Sequence, residues 1–299
     1  MVLEESATTR PAGVLDGNTP ARPLDEYALG RPAGMLRPFV ARYSGYRQRG
    51  LAPARHRGLP SPFLTLIFTM EDPLVVAVHP DPRQGAGRYS ALLGGLHLAP
   101  ALITHDGCQS GVQVAVHPVG CRALLGLPAG ELAGLDVAAS AVLGERFVGE
   151  VRERLCAAAD WPARFAVLDT MLGGLLRDGH GPNQVGYAFR RLLHATVPIA
   201  ELAAEVGWSG RYLTDRFRTE VGLRPKEAAR VARFDRARRA VRPGVRLADV
   251  AASHGYADQS HLVRDFQAFA GCSPTRWMAD EFGFVQAAAA ASDDDEGHD

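Results

Sequence analysis

No stretch of this chain approaches the roughly 20 consecutive apolar residues that a membrane-spanning helix needs. The opening MVLEESATTRPAGV has two glutamates where a secretion signal needs a basic segment and an apolar core. Membrane anchoring and export are excluded on that reading, and a cytoplasmic protein is expected. Cysteine is sparse: Cys108, Cys121, Cys156 and Cys272 are scattered without a Cys-x-x-Cys pair, which excludes a disulfide scaffold and leaves reduced thiols. Net charge is absent as well, with 33 basic and 33 acidic residues, but the zero conceals an uneven distribution. Residues 1–183 hold 17 of each sign, residues 184–284 hold 16 basic against 11 acidic, a net +5, and residues 285–299 hold five acids only. Lysine is almost missing from the basic block, where Lys226 stands alone among arginines. Arginine suits bidentate recognition of phosphate or guanine, although genomic base composition gives the same bias.

With 299 residues, 46% of them hydrophobic and 22% charged, the chain has the composition of a globular protein of two domains. Residues 1–34, rich in Pro, Ala, Gly and Thr without periodic apolar positions, are expected as a flexible arm. Residues 35–178 are expected to form an α+β domain, strands first and helices after. FLTLIFTM (63–70) and LVVAVH (74–79) are short apolar runs, and GVQVAVHPVG (111–120) sets Val112, Val114 and Val116 against Gln113, Ala115 and His117 at the strand period. Helices are predicted near 122, at 144–155 and at 160–176, the last with Asp160 as N-cap and a face of Phe165, Leu168 and Leu172. That face fits a dimer contact and a contact onto the strand domain equally. DGHGPN (178–183) reads as a linker, with the boundary at 179–184, and 185–284 reads as all helical. The acidic end, 285–299, is expected to be disordered.

The helical part contains an internal repeat. LAAEVGWSGRYLTDRFRTEVGLRP (202–225) and VAASHGYADQSHLVRDFQAFAGCSP (250–274) share a small-residue helix, a Gly-aromatic pair (Gly207-Trp208, Gly255-Tyr256), Leu and Phe four apart (Leu213 and Phe217, Leu262 and Phe266), then Gly and Pro. Each copy predicts a helix-turn-helix unit: the Gly takes a left-handed conformation, the aromatic plugs the angle, and the Leu/Phe pair faces the core. What remains faces outward, namely Arg211, Thr214, Asp215 and Arg218 in the first unit and Gln259, Ser260, His261, Val263 and Arg264 in the second. Such side chains can read base edges in a major groove. Between the copies, PKEAARVARFDRARRAV (225–241) predicts a connecting helix able to set two readers about 34 Å apart, one turn of the duplex.

Residues 184–282 resemble the DNA-binding domain of the AraC/XylS family of bacterial transcription regulators. The likeness is carried by DVAASHGYADQSHLVRDFQAFAGCSPTRWM at its Ala, Gly-aromatic, Gln-Ser, Arg-x-Phe, Gly and Pro positions. Asp215 departs from the Arg or other polar residue common there, and Ala228 from a frequent aromatic. The resemblance implies a sequence-specific regulator, not an enzyme, without cofactor or metal, and an N-terminal β-rich barrel of cupin-like type that senses an effector or dimerises. Base reading is assigned to Arg211, Thr214, Asp215, Gln259, Ser260, His261 and Arg264, and phosphate contact to Arg218, Arg224, Lys226 and Arg276. Double-stranded DNA is the expected partner. RNA polymerase, a small-molecule effector lodged among the strands and a second copy of the chain are left open.

Competing chemistry is thin. His97, His105, Cys108 and His117 lack the close spacing that anchors a metal site. Cys108 and Ser110 in HDGCQSG lack the Gly-x-Ser-x-Gly elbow and a placed base. Some relatives couple this domain to alkyl transfer from damaged DNA, but VGCRALLG around Cys121 lacks the Pro and His of their Pro-Cys-His-Arg motif.

Overall fold

The computed structural model describes residues 23–177, 184–194 and 197–281; the remainder of the expected arm, the 178–183 linker and the acidic end lie outside them. Ten strands are described: β1 (Leu24–Gly30), β2 (Val40–Arg49), β3 (Ala54–Gly58), β4 (Leu64–Thr69), β5 (Leu74–Val78), β6 (Gly87–Tyr89), β7 (Ala91–Gly94), β8 (Ala101–His105), β9 (Gln109–Val116) and β10 (Asp136–Ala138). They form two antiparallel sheets, in the orders β1-β2-β9-β4-β7-β10 and β3-β8-β5-β6. The cupin-like barrel therefore needs correction, because the described strands form two separate sheets and no closed ring. The physical reason lies in the larger sheet, which is apolar on both faces and needs two covers. Leu64, Leu66 and Phe68 of β4 join Val112, Val114 and Val116 of β9 in the main core, while Ile67 turns the other way, toward Leu74, Val76 and Ile103 of the smaller sheet. Ala115, on the face of β9 expected to be polar, is also buried.

The expected arm also needs correction at its end, where residues 24–30 form edge strand β1, with Tyr27 opposite Tyr46. The second cover is helical. After α1 (Cys121–Leu125) and α2 (Ser140–Leu143), α3 (Glu145–Ala157) and α4 (Trp161–Gly173) lie on the large sheet. Asp160 caps α4 as expected, accepting from the Ala163 N–H at 2.8 Å. The apolar face of α4 packs within the chain: Phe165 stacks on Tyr43 at 5.7 Å, and Asp169 accepts from the Tyr43 hydroxyl at 2.9 Å. Trp161 and Phe165 lie directly over the strand backbone at Gly45 and Gly30, positions a Cβ would block.

The C-terminal region is all helical: α5 (Gln184–His194), α6 (Ile199–Glu205), α7 (Gly210–Val221), α8 (Pro225–Ala240), α9 (Leu247–Ser253) and α10 (Gln259–Ala270). One continuous hydrophobic cluster runs from Leu36 to Trp277 through both domains. Two polar contacts reinforce the junction. Arg122 of α1 forks onto Glu220 of α7 at 2.8 and 3.0 Å. On the far side, Glu281 accepts from the Arg57 backbone N–H of edge strand β3 at 3.0 Å, and the Arg57 guanidinium reaches Glu281 and Asp280. Burial pushes the Glu281 carboxyl above its ordinary value.

Candidate nucleic-acid interface

Both repeat copies fold alike. In the first unit α6 ends at Gly207 with φ +71°, and the Trp208 N–H donates to the Ala203 carbonyl at 2.8 Å; in the second α9 ends at Gly255 with φ +74°, and the Tyr256 N–H donates to Ala251 at 3.0 Å. The positive φ explains glycine at both turns. The second helices are capped by Ser209 and Asp258 and close on the left-handed Gly222 and Gly271. Leu213, Phe217, Leu262 and Phe266 are fully buried. Sequence spacing therefore had the turn geometry and the inward face right in each unit.

Aligning Leu213 with Leu262 and Phe217 with Phe266 resolves α7 and α10 into three stripes. One is the core. A second points outward: Arg211 and Asp215 are exposed beside half-buried Thr214 in α7, and Ser260 and Arg264 are exposed beside half-buried Val263 in α10, with Gln259 exposed at the helix start. The Thr214 hydroxyl is engaged with the Gly210 carbonyl at 2.8 Å. Asp215 makes no ion pair among the described residues, so its carboxylate stays uncompensated on this face.

The third stripe was missed by sequence reasoning. It holds Tyr212, Arg216 and Glu220 in α7 and, at the aligned places, His261, Asp265 and Phe269 in α10. His261 is thus turned away from the outward stripe. Its ring stands edge-on to Tyr256 at 5.0 Å, its Nδ1 accepts from the Ala257 N–H at 3.5 Å, and its Nε2 lies 3.3 Å from Arg233. Asp265, 1% exposed, accepts from Arg230 at 2.7 Å and from Arg233 at 3.4 Å, both on α8. Arg230 also lies over Phe269 and Arg233 over Tyr256, at 4.5 and 4.6 Å. These arginines fix the angle between α10 and the connecting helix. The signal available in sequence was an acidic residue three after Leu262 and one before Phe266, a position that demands a buried cationic partner.

The residues assigned to phosphates all lie on the surface. Arg218, Arg224, Lys226 and Arg276 are exposed, and Arg276 lies 3.6 Å from Asp280. In α8, Asp235 is 4% exposed and binds Arg238 and Arg239 at 2.7 and 2.6 Å. Although burial pushes its carboxyl up, those two guanidinia hold it below its ordinary value. Arg42, from β2, lies near them over the Phe63 ring, and burial together with Arg239 brings it down to about 10.

The alternative chemistries find little support in the geometry. No group of three metal-ligating side chains occurs among the described residues. His97 is bonded to the Ala99 carbonyl, His105 to the Gly107 N–H, and His117 packs against Phe63. Ser110 is buried with its hydroxyl unpartnered among the described residues, and burial pushes the Cys121 thiol up to about 12, which disfavours its thiolate at neutral pH. A buried pair that sequence reasoning did not foresee, His79 with Asp136 at 2.7 Å, has its other imidazole nitrogen 3.3 Å from the Tyr89 hydroxyl and ties β10 to the smaller sheet. Between the sheets, Ile67 of β4 and Leu74 and Val76 of β5 pack with Leu92 of β7 and Ala101 and Ile103 of β8. No helix among the described residues is long and apolar enough to cross a membrane.

Comparison with known proteins matches the two regions separately. Residues 202–280 match a family described as a helix-turn-helix domain, and residues 30–138 match a domain of unknown function, DUF6597. No curated protein matches the chain. Among solved structures, ToxT from Vibrio cholerae is 10% identical over 79% of this chain and 97% of its own, with a TM-score of 0.50, a likeness of fold. A DNA-binding transcriptional dual regulator from Escherichia coli K-12 is 21% identical over 34% of this chain and 96% of its own, at a TM-score of 0.29. The DNA-binding domain of AdpA, solved with a target DNA, is 25% identical over 33% of this chain and 88% of its own, also at 0.29. Twin units built on one connecting helix, in a region whose residues 202–280 match the helix-turn-helix family, give the C-terminal part of this chain a helix-turn-helix DNA-binding domain of AraC type.

Proposed function

We propose that the protein reads a bipartite duplex site, with α7 and α10 in successive segments of one major groove. Arg211, Thr214 and Asp215 serve the first half-site, and Gln259, Ser260 and Arg264 the second. His261 braces its turn from within. Arg218, Arg224, Lys226 and Arg276 neutralise phosphates and release counterions, which supplies affinity without sequence information. The observation that carries this reading is the outward stripe, repeated at aligned positions in two units whose inward stripe is buried in the core. Asp215 is repelled by phosphates and is tolerated where it accepts from a cytosine amino group.

DNA binding is modulated through the N-terminal domain, which shares its hydrophobic core with the reading units, and the protein works by binding alone, without turnover. Selection of binding sites from random duplex DNA by the full chain tests the reading. Two base groups about one helical turn apart are expected, with affinity that falls steeply as salt rises. Absence of enrichment at every salt concentration would overturn it.

A further inference from the structure

At two places on the domain junction a guanidinium meets its carboxylate: Arg122 meets Glu220, and Arg57 meets Asp280 and Glu281. A third place is unbalanced. Where the start of β2 approaches α5 and α8, Arg42, Arg238 and Arg239 gather around a single carboxylate, Asp235, and Arg42 and Arg190 flank His117. Asp235 is already engaged by Arg238 and Arg239, at 2.7 and 2.6 Å. Arg42 lies over the Phe63 ring at 5.2 Å, and neither it nor Arg190 has an ion pair among the described residues. The crowding is felt electrostatically: Arg239 adds to burial in lowering Arg42, and Arg190 and Arg42 add to burial in lowering His117. A cationic excess partly withdrawn from water calls for an anion. The cluster is open to one, since Arg190 is exposed and the Arg239 side chain is 48% exposed.

The chain carries a segment of matching charge. Asp293, Asp294, Asp295 and Glu296 are consecutive, no Lys or Arg lies among residues 285–299, and residues 282–292 carry no charge at all. Such a composition supports no core of its own. Its point of departure is fixed, because Glu281 accepts from the Arg57 N–H at 3.0 Å. Phe63 follows Arg57 by six positions, so the two lie at most about 20 Å apart, and the twelve positions from Glu281 to Asp293 span up to about 40 Å. The four acids therefore reach the cluster with chain to spare, and an extended peptide is narrow enough to approach half-buried Arg42.

We propose that residues 293–296 dock on this cluster, with their carboxylates on Arg42, Arg190 and Arg239, and latch the N-terminal domain to α5 and α8. The docked acids supply the negative charge that the junction lacks. They also tie β2 to the connecting helix that spaces the two reading units. The latch goes beyond the reading of the chain as a DNA-binding protein and holds whether or not a duplex site is selected.

The test compares the full chain with a chain ending at residue 284 and with a full-length variant carrying Asp293→Asn, Asp294→Asn, Asp295→Asn and Glu296→Gln. Nuclear magnetic resonance of the arginine Nε–H groups reads the site, with Arg42, Arg190 and Arg239 assigned from single Gln variants. Their signals should differ between the full chain and both altered chains, while those of Arg264 and Arg276 stay in place. The synthetic peptide SDDDEGHD should restore them in the shortened chain, and Arg239→Gln, at an exposed position, should weaken that peptide about two- to fivefold. At low salt the urea midpoint should fall when the acids are removed or neutralised, and the difference should vanish at about 1 M salt, where the Debye length is about 3 Å. Junction signals identical in all three chains overturn the latch, as does movement of Arg264 and Arg276 in their stead, which would put the acids on the DNA face. Inorganic phosphate or duplex DNA that shifts the junction arginines of the shortened chain as strongly as the peptide does would assign the cluster to that anion and overturn the tail as its occupant.

Discussion

Replacing Asp265 by Ala should be among the most damaging single changes in the C-terminal domain. The Asp265 side chain is 2% exposed and bonds to two α8 arginines, of which the Arg233 side chain is itself only 18% exposed. Removing the carboxylate leaves the Arg233 charge buried near Tyr256 and His261 with no anion to balance it. Breaking a buried pair in this way costs about 3–5 kcal/mol, a large part of the roughly 5–15 kcal/mol that holds a domain together. The urea midpoint of the full chain, followed by far-ultraviolet circular dichroism, should fall accordingly. The buried-charge argument also fixes a sign for the double variant. Asp265→Leu with Arg233→Met removes both charges and keeps the volume, so its loss should be smaller than that of Asp265→Ala. A midpoint for Asp265→Ala within about 0.5 kcal/mol of the parent, the range of an ordinary surface change, would refute the reasoning, as would a double variant less stable than the single.

The remaining predictions concern acid, the domain junction and base reading. His56 and His117 are each held down to about 4, mainly by burial, against about 6.5 in the unfolded chain. The unfolded state takes up protons first, so the stability contribution is complete above about 6.5 and is lost as pH falls toward 4. Each site should contribute about 2 kcal/mol of destabilisation at pH 5 relative to pH 7, and equal urea midpoints at the two pH values would contradict it. Gly130 touches the Thr219 and Arg218 carbonyls at the end of α7, where a Cβ would collide with backbone. Gly130→Ala should cost about 1–3 kcal/mol and speed hydrogen exchange in the last turn of α7, and unchanged exchange there would show that the junction yields freely. Arg122→Ala leaves Glu220 only the 3.5 Å contact to Arg216. Protection of the first half-site in footprinting should weaken while the second is retained, and an equal loss at both would count against it. Arg264→Ala should weaken specific DNA binding by about 1–3 kcal/mol and relax one base position; a uniform loss across sequences would move Arg264 to the phosphates.

The parts of the fold legible in the sequence are those whose signals are local. A Gly-aromatic pair followed by Leu and Phe four apart specifies a turn and an inward face within a dozen residues, so both reading units could be placed from sequence alone. Asp160 and Pro162 announce α4 in the same way. The strands that escaped notice draw their order from distant partners. LDEYALG becomes β1 through its ladder to β2, and ARHRG becomes β3 against β8, with Glu281 of the C-terminal region on its edge. Whether ten strands close into a ring or face each other as two sheets is a property of both ends of the sheet at once, and no run of residues carries it. The placement of His261 is hidden for a related reason: on a helical wheel it borders the outward stripe, and its contact with Arg233 depends on another helix.

That same dependence on distant partners separates the two reading units. The second unit is completed within its own domain, since Arg230 and Arg233 reach α10 from the connecting helix and its aromatic plug is covered. The first unit is completed by Arg122, a residue of the N-terminal domain, and even then its Trp208 and Tyr212 border an open cavity. A change in the N-terminal domain alters the contacts of α7 directly, through the Glu220 fork and the close approach at Gly130. It reaches the second unit through Arg57, which holds the helix end at Asp280 and Glu281, and through Pro100, beside Gly271 at the end of α10. Coupling between sites requires contacts that differ between states, and in this chain the contacts positioned to differ are concentrated on the first reader. The first unit also carries Asp215 exposed on its outward face, so under the proposed reading its hold on DNA depends most on how firmly the N-terminal domain presents it.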